Sequence, residues 1–276
     1  MKVISVSNFS LGWLDALEYL LDCGGKATHI HVVIDDVHEE NIEIRRLLDR
    51  FSECKGVYPV STVANTIFPA ALYYPHNPKL TENKARDHLY QMYRQGDKVR
   101  RRCPANRNGT YFNRMIDWPS GRKTVNQLER IIDRLQSNRT RNNPLSSNYE
   151  LSVGESEECF VQDDTADIQI RLPGTDTGIM GFPCLSHISL VLDKGHLSMT
   201  ALYRNQHFIR KAYGNYLGLS RLLRFICQEA GCEAGELVCI ASHADAEFNL
   251  GKRDILKLVK DCREAAERSQ MVPTLT

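Results

Sequence analysis

The sequence predicts an α+β fold. Three observations carry that expectation. Amphipathic helical periods recur over residues 10–22, 124–137 and 253–268. Alternation of apolar and polar residues marks strands at 29–35, 187–192 and 196–203. The two patterns intermix without the strand–helix–strand rhythm that builds a parallel sheet. At 276 residues the chain can bury a large core, as one large domain or two small ones.

The elements follow in order. Ser10 is placed to cap the first helix, Leu11, Leu14, Leu17 and Leu21 form its apolar stripe, and Gly24-Gly25 ends it. HIHVVID, His29 to Asp35, alternates as a strand does. Glu39 to Phe51 is charged and helical in period. The stretch VYPVSTVANTIFPAALYYP, from Val57, has three prolines and reads as broken strands or short helical pieces. Residues 75–110 are polar and basic, densest in positive charge at Lys98-Val99-Arg100-Arg101-Arg102. Such a run is a solvated face or a mobile phosphate-binding arm.

The helix at 124–137 has Thr124 and Gln127 in capping-box spacing, with Val125, Leu128, Ile131, Ile132 and Leu135 on one stripe. Ser137 to Glu158 is Asn/Ser-rich and predicts a long exposed loop. A strand begins at Ile168 to Leu172. His187–Leu192 and His196–Tyr203 flank Asp193-Lys194-Gly195 and predict a hairpin. Tyr216 to Ala230 predicts a buried helix closed by Gly231. Leu237–Ala241 is a short strand, and Arg253–Arg268 a final amphipathic helix.

Composition excludes several classes. Lys+Arg at 35 against Asp+Glu at 34 leave a net charge of +1, so no nucleic-acid partner is expected. No apolar run approaches the roughly 18 residues that span a bilayer, and no signal-peptide pattern opens the chain, which predicts a cytoplasmic protein without a membrane partner. Nine cysteines, an odd number without any CxxC pair, read as reduced thiols. Cys227, Cys232 and Cys239 fall on a helix, its end and a strand, which suits packing better than a zinc site. No metal is expected.

The most informative stretch is Gly181-Phe182-Pro183-Cys184, followed twenty positions later by Arg204 and eleven after that by Asn215. A cysteine after a proline, an apolar hairpin, an arginine at its exit and an Asn opening a helix are an ordered set. It resembles the core of the thymidylate synthase family, closer to the archaeal-type synthases and nucleotide hydroxymethylases. The likeness covers about residues 108 to 250, including Gly109-Thr110-Tyr111-Phe112-Asn113-Arg114 and Val125-Asn126-Gln127-Leu128. It divides the chain into a divergent N-terminal part, residues 1–107, and a catalytic core, residues 108–276, of the same domain.

The resemblance implies a mixed sheet with packed helices, dimerising through the sheet, hence a homodimer. It implies a pyrimidine nucleotide monophosphate as substrate and 5,10-methylenetetrahydrofolate as one-carbon donor. Cys184 is then the nucleophile, since a thiolate adding to C6 of uracil makes C5 carbanion-like. Arg204 binds phosphate and tunes the thiol, as a nearby cation does. Asn215 reads the base, because a side-chain amide pairs with the O4 and N3–H edge of uracil. Asn205 stands where the family has Ser, and His207 where it has Asp. His243 and Asp245 stand where the family has His-x-Tyr and contact the sugar; Asp245 or Glu247 can accept from a sugar hydroxyl.

The family's paired arginines are absent from Ala166-Asp167-Ile168-Gln169-Ile170-Arg171, and Arg139 and Arg141 are the candidates to substitute. Its Glu-Leu-x-Trp motif is absent before residue 120. Two functions therefore stand side by side. One is an enzyme that methylates or hydroxymethylates C5 of a uracil-type nucleotide. The other is a catalytically altered nucleotide-binding or partner protein on the same scaffold.

Overall fold

In the computed structural model the described residues are 1–76, 82–120, 122–139, 165–170 and 183–271. The elements in chain order begin with β1 (Lys2–Asn8), α1 (Phe9–Asp22), β2 (Lys26–Asp36), α2 (Ile42–Cys54) and α3 (Val60–Ala64). Next come α4 (Glu82–Gln95), α5 (Asp97–Arg100), α6 (Tyr111–Ile116), β3 (Trp118–Ser120), β4 (Lys123–Val125) and α7 (Gln127–Arg139). Then follow β5 (Thr165–Gln169), β6 (Leu185–Asp193), β7 (His196–Tyr203), β8 (Gln206–His207), α8 (Tyr213–Ala230), β9 (Glu233–Asp245) and α9 (Lys252–Met271). The class is α+β, with mixed strand directions and packed helices. No described helix is long and apolar enough to cross a membrane.

The chain divides into two units. The first comprises Met1–Phe68, Leu202–Leu222 and Glu236–Thr276. Here β1 pairs parallel with β2, and β2 antiparallel with β9, placing His31 opposite Ile240 and Val33 opposite Val238. Alternation decides the faces: Ile30, Val32, Ile34, Leu237, Cys239 and Ala241 are buried on one side. Helix α1 lies on β1 and β2, and Gly12 lets it approach, because a Cβ there would stand 2.7 Å from Val32 Cγ1. Asn8 caps α1 by accepting from the Ser10 and Leu11 amides. Ser10 is therefore not the cap. It is buried, its hydroxyl 2.9 Å from that of Tyr213, because the cap lies two residues earlier than the sequence suggests. The apolar stripe likewise runs through Phe9, Trp13, Leu14, Leu17 and Leu20 rather than Leu11 and Leu21. Asn41 caps α2 in the same manner as Asn8 caps α1.

The second unit comprises Pro69–Ala201 and Leu223–Gly235. β5 pairs antiparallel with β6, which turns back into β7. The predicted hairpin turn is present, with Lys194 at φ 48° and Gly195 at φ 87°. The basic stretch after residue 75 is helical over α4 and α5, because Ala85, Leu89, Tyr90 and Tyr93 form a buried face on α4. Charged neighbours dilute that face in the sequence. In α7 the amide of Glu129 is accepted by Asn126, while Thr124 sits in β4. The capping-box expectation is thereby corrected: the β3–β4 hairpin uses Thr124 and leaves Asn126 to cap. The predicted loop beyond Arg139 lies outside the described residues, as do Arg141, Gly181 and Phe182.

Candidate functional site

In the first unit the short strand β8 is the organising element. It pairs parallel with the end of β9, Gln206 opposite Ala244 and His207 opposite Asp245. That register sets the side chains of residues 205 and 207 beside the end of β9. His243 Nδ1 lies 2.7 Å from Asn205 Oδ1, so His243 donates and holds its proton on Nδ1. Asn205 Nδ2 is 3.4 Å from His207 Nε2. On its other side, His207 Nδ1 stands 3.5 Å from Glu247 Oε1. The row His243–Asn205–His207–Glu247 is continuous and polar.

Glu247 anchors the row. It is buried, and its backbone is left-handed at φ 59°. Its Oε1 accepts from Arg210 Nη1 at 2.9 Å and its Oε2 from the Arg210 amide at 2.8 Å. Its own amide donates to Asp245 Oδ1 at 2.7 Å, and Asp245 Oδ2 faces Lys26 at 3.4 Å. Both Glu247 oxygens are thus committed to Arg210, and Asp245 to Lys26 and the Glu247 backbone.

A π-helical turn, Phe208–Ala212, leads into α8, and such turns gather at functional sites. Asn215 lies in the first turn of α8 and is 3% exposed. Gly214 and Gly218 bring that helix onto the 60–68 segment: a Cβ on Gly214 would be 2.5 Å from Val63 Cβ. Asn215 Oδ1 is buried and accepts no hydrogen bond from the described residues. Arg204 is half-buried in the turn between β7 and β8.

Cys184 belongs to the second unit. It is half-buried and directly precedes β6, after Pro183. The Leu185 amide donates to the Tyr111 hydroxyl at 3.5 Å. Burial pushes the Tyr111 phenol up to about 12, the Cys184 charge adds to that rise, and backbone donors from Leu185 and Cys184 oppose it. Tyr111 is therefore a protonated phenol at neutral pH, set against the backbone that carries the thiol. Cys227 and Cys239 are buried in packing positions, as the sequence suggests.

The structure thus gathers Asn205, His207, His243 and Asp245 at one strand end, with Asn215 in the same unit. Arg139 ends α7, in the second unit with Cys184. Two residues were not legible as site members: Arg210, which holds Glu247, and Tyr111 as a neighbour of Cys184. Arg210 and Glu247 are 37 positions apart without a local pattern. Among the described residues, no group of three His, Cys, Asp or Glu side chains converges as a metal site would require.

No protein-family model matches the chain. It is similar to two curated archaeal proteins, each named "Putative thymidylate synthase". The one from Methanosarcina barkeri is 23% identical over 135 residues, 49% of this chain and 51% of the relative. The one from Methanosarcina acetivorans gives the same 23%, 49% and 51%. The matched part spans about half the length of these relatives. The relationship is distant and thymidylate synthase-like.

Proposed function

We propose that this protein modifies a uracil-type pyrimidine nucleotide at C5, by a covalent adduct of Cys184 to C6. The observation that carries the reading is Asn215. A buried amide oxygen without a partner costs about 1–3 kcal/mol, and a fold keeps such a group where a ligand completes it. Uracil offers N3–H to that oxygen and O4 to the amide's N–H₂.

In this reading Cys184 Sγ attacks C6, the C5=C6 electron pair moves to C5, and C5 takes up a one-carbon unit. Loss of the C5 proton to a base would then expel the donor's amine from the transferred carbon and leave an exocyclic methylene; hydride from the donor (methylation) or water (hydroxymethylation) would add to it as the S–C6 bond breaks and the C5=C6 double bond is restored. Arg204 binds the phosphate and favours the thiolate. His243, fixed by Asn205, presents its outer nitrogen to the sugar. His207, an imidazole set between Glu247 and Asn205, is the residue that would meet methylenetetrahydrofolate, which would supply the electrophilic carbon.

In this reading the protein is a homodimer, and the half-exposed face of the first unit's sheet supports it. Val3, His31 and Ile240 form one row there, and Ser5, Val33 and Val238 the next, all opposite the buried face. Covering that apolar surface stabilises by about 25 cal/mol per Å².

The test is release of tritium from C5 of labelled dUMP and UMP, with and without methylenetetrahydrofolate, for the native protein and Cys184→Ala. Release lost in Cys184→Ala, and stimulated by the folate, is the expected result. No release from either nucleotide ends the uracil assignment and leaves the binding or partner role as the better account.

A further inference from the structure

A cleft of about 420 Å³ opens in the second unit, lined by Arg94, Arg101, Arg114, Asn108 and Asn113 among others. It lies in the most basic part of the chain: residues 94–123 carry nine Lys or Arg against two Asp, in a protein of net charge +1. Both of those carboxylates, Asp97 and Asp117, also line the cleft, and each is paired with one of its arginines. Asp117 Oδ1 accepts from Arg94 Nε at 2.9 Å, and Asp97 Oδ2 from Arg101 Nε at 2.6 Å. Backbone carbonyls take a second donor of each, Ile116 O from Arg94 Nη2 at 3.0 Å and Arg107 O from Arg101 Nη1 at 3.4 Å.

Each guanidinium is therefore held in orientation, with one terminal nitrogen left over. Arg94 Nη1 and Arg101 Nη2 donate to no described residue. Fixed guanidinium forks with open donors are receptors for an oxyanion, since the side-chain ordering that binding would demand is already made. The third arginine ties the cleft to the thiol. Arg114 lies three positions after Tyr111 on α6, on the same helix face, and is itself fixed by Ile170 O at 3.0 Å and Asn108 O at 3.3 Å. Tyr111 meets the backbone that carries Cys184.

We infer that the Arg94–Arg101–Arg114 cleft is an oxyanion subsite that takes a phosphate of the nucleotide held at Cys184. The inference rests on the proposed nucleotide chemistry and places a phosphate anchor within the unit that holds the nucleophile. Arginine suits this task because its guanidinium is always charged and, with two nitrogens of Arg94 and of Arg101 already fixed, each still presents one terminal N–H₂ to a phosphate oxygen.

The test is calorimetric titration of the full chain with dUMP, deoxyuridine, inorganic phosphate and glutamate. The variants are Arg94→Gln, Arg101→Gln and the double variant, with circular dichroism to verify folding. The expected result is dUMP binding at least about tenfold tighter than deoxyuridine, as charged hydrogen bonds require, with the gap closing in the double variant. Inorganic phosphate should weaken in parallel. A gap unchanged in the folded double variant overturns the subsite, and so does glutamate binding more tightly than phosphate, which would assign the cleft to a carboxylate. Should Arg101→Gln fail to fold, Arg101→Lys, which keeps the charge and loses the fork, decides by the same gap. Tritium release reports separately: a closing gap without release retains the subsite and removes the catalytic reading, whereas release with an unchanged gap does the reverse.

Discussion

Glu247 grips Arg210 twice, through the guanidinium at 2.9 Å and through the backbone amide at 2.8 Å. The pair ties the π-helical turn before α8 to the chain just after β9, and His207 stands 3.5 Å from the same carboxylate. A carboxylate this buried costs several kcal/mol unless it is paired, so Arg210 is what permits Glu247 to be there. The backbone adds a second cost, because Glu247 sits at φ 59° where residues with a Cβ are disfavoured.

Those two costs separate experimentally. Glu247→Ala should lower stability by about 2 kcal/mol, a buried-pair loss discounted for the partial exposure of Arg210. Glu247→Gly should recover about 1 kcal/mol of that loss, since glycine accepts the left-handed backbone freely. Urea denaturation of both variants measures the difference. Equal midpoints would show that the backbone at 247 carries no strain.

Asn215 sets the base preference in the proposed reading. Asn215→Asp should reduce C5 tritium release from dUMP at least about a hundredfold, because the amide donor to O4 is lost from a buried site. It should raise the relative rate with dCMP, whose exocyclic amine donates to a carboxylate. An unaltered dUMP to dCMP ratio would remove Asn215 from base recognition.

Element types were legible where a single face is buried. The alternation over 29–35 and the hairpin around Lys194-Gly195 are visible because strand period and turn chemistry are local. The extent of β9 was not, since it is 13 residues long while only its central Leu237–Ala241 segment is apolar. Helix caps were misassigned at Ser10 and Thr124 for one reason: several capping residues lie within two positions, and tertiary partners choose among them. Within the candidate site, Asn205, His207 and His243 were picked out by the thymidylate synthase resemblance rather than by a local pattern. Arg210 was not, because its pairing with Glu247 exists only once β8 lies against β9.

Tyr111 links pH to both stability and chemistry. Its phenol is pushed up to about 12, chiefly by burial. The folded state then holds a proton that the unfolded chain releases near pH 10. Stability must fall as pH rises from about 10 toward 12, because the folded state binds more protons there. Tyr111→Phe should make this alkaline decline shallower, as followed by thermal melts between pH 9 and 11. It should also slow tritium release about tenfold at neutral pH, since the Leu185 amide loses its acceptor beside Cys184. A full rate in Tyr111→Phe would leave the hydroxyl without a part in the chemistry.

Arg86 is a buried cation that joins three helices in the second unit. Its guanidinium lies 3.2 Å from Glu129, 3.2 Å from Glu229 and 3.9 Å from Asp133, joining α4, α7 and the end of α8. The Tyr73 hydroxyl also donates to Glu229. Burial raises the Glu129 carboxyl above its ordinary range, with Arg86 pulling it back down. A carboxyl raised in the folded state binds protons that the unfolded chain has released, so it favours folding at acidic pH. That contribution is lost as pH rises through the raised value. Glu129→Gln should flatten this part of the pH–stability curve above the ordinary carboxyl range and cost little at neutrality. Arg86→Met should behave differently, costing about 3–5 kcal/mol at pH 7 because Glu229 is left buried without its cation. It should also shift the stability optimum toward acid, where Glu229 and Glu129 are neutralised by protons. Urea midpoints from pH 4 to 8 measure both effects, and an Arg86→Met optimum that stays at neutral pH would show that the cluster is not held by this charge.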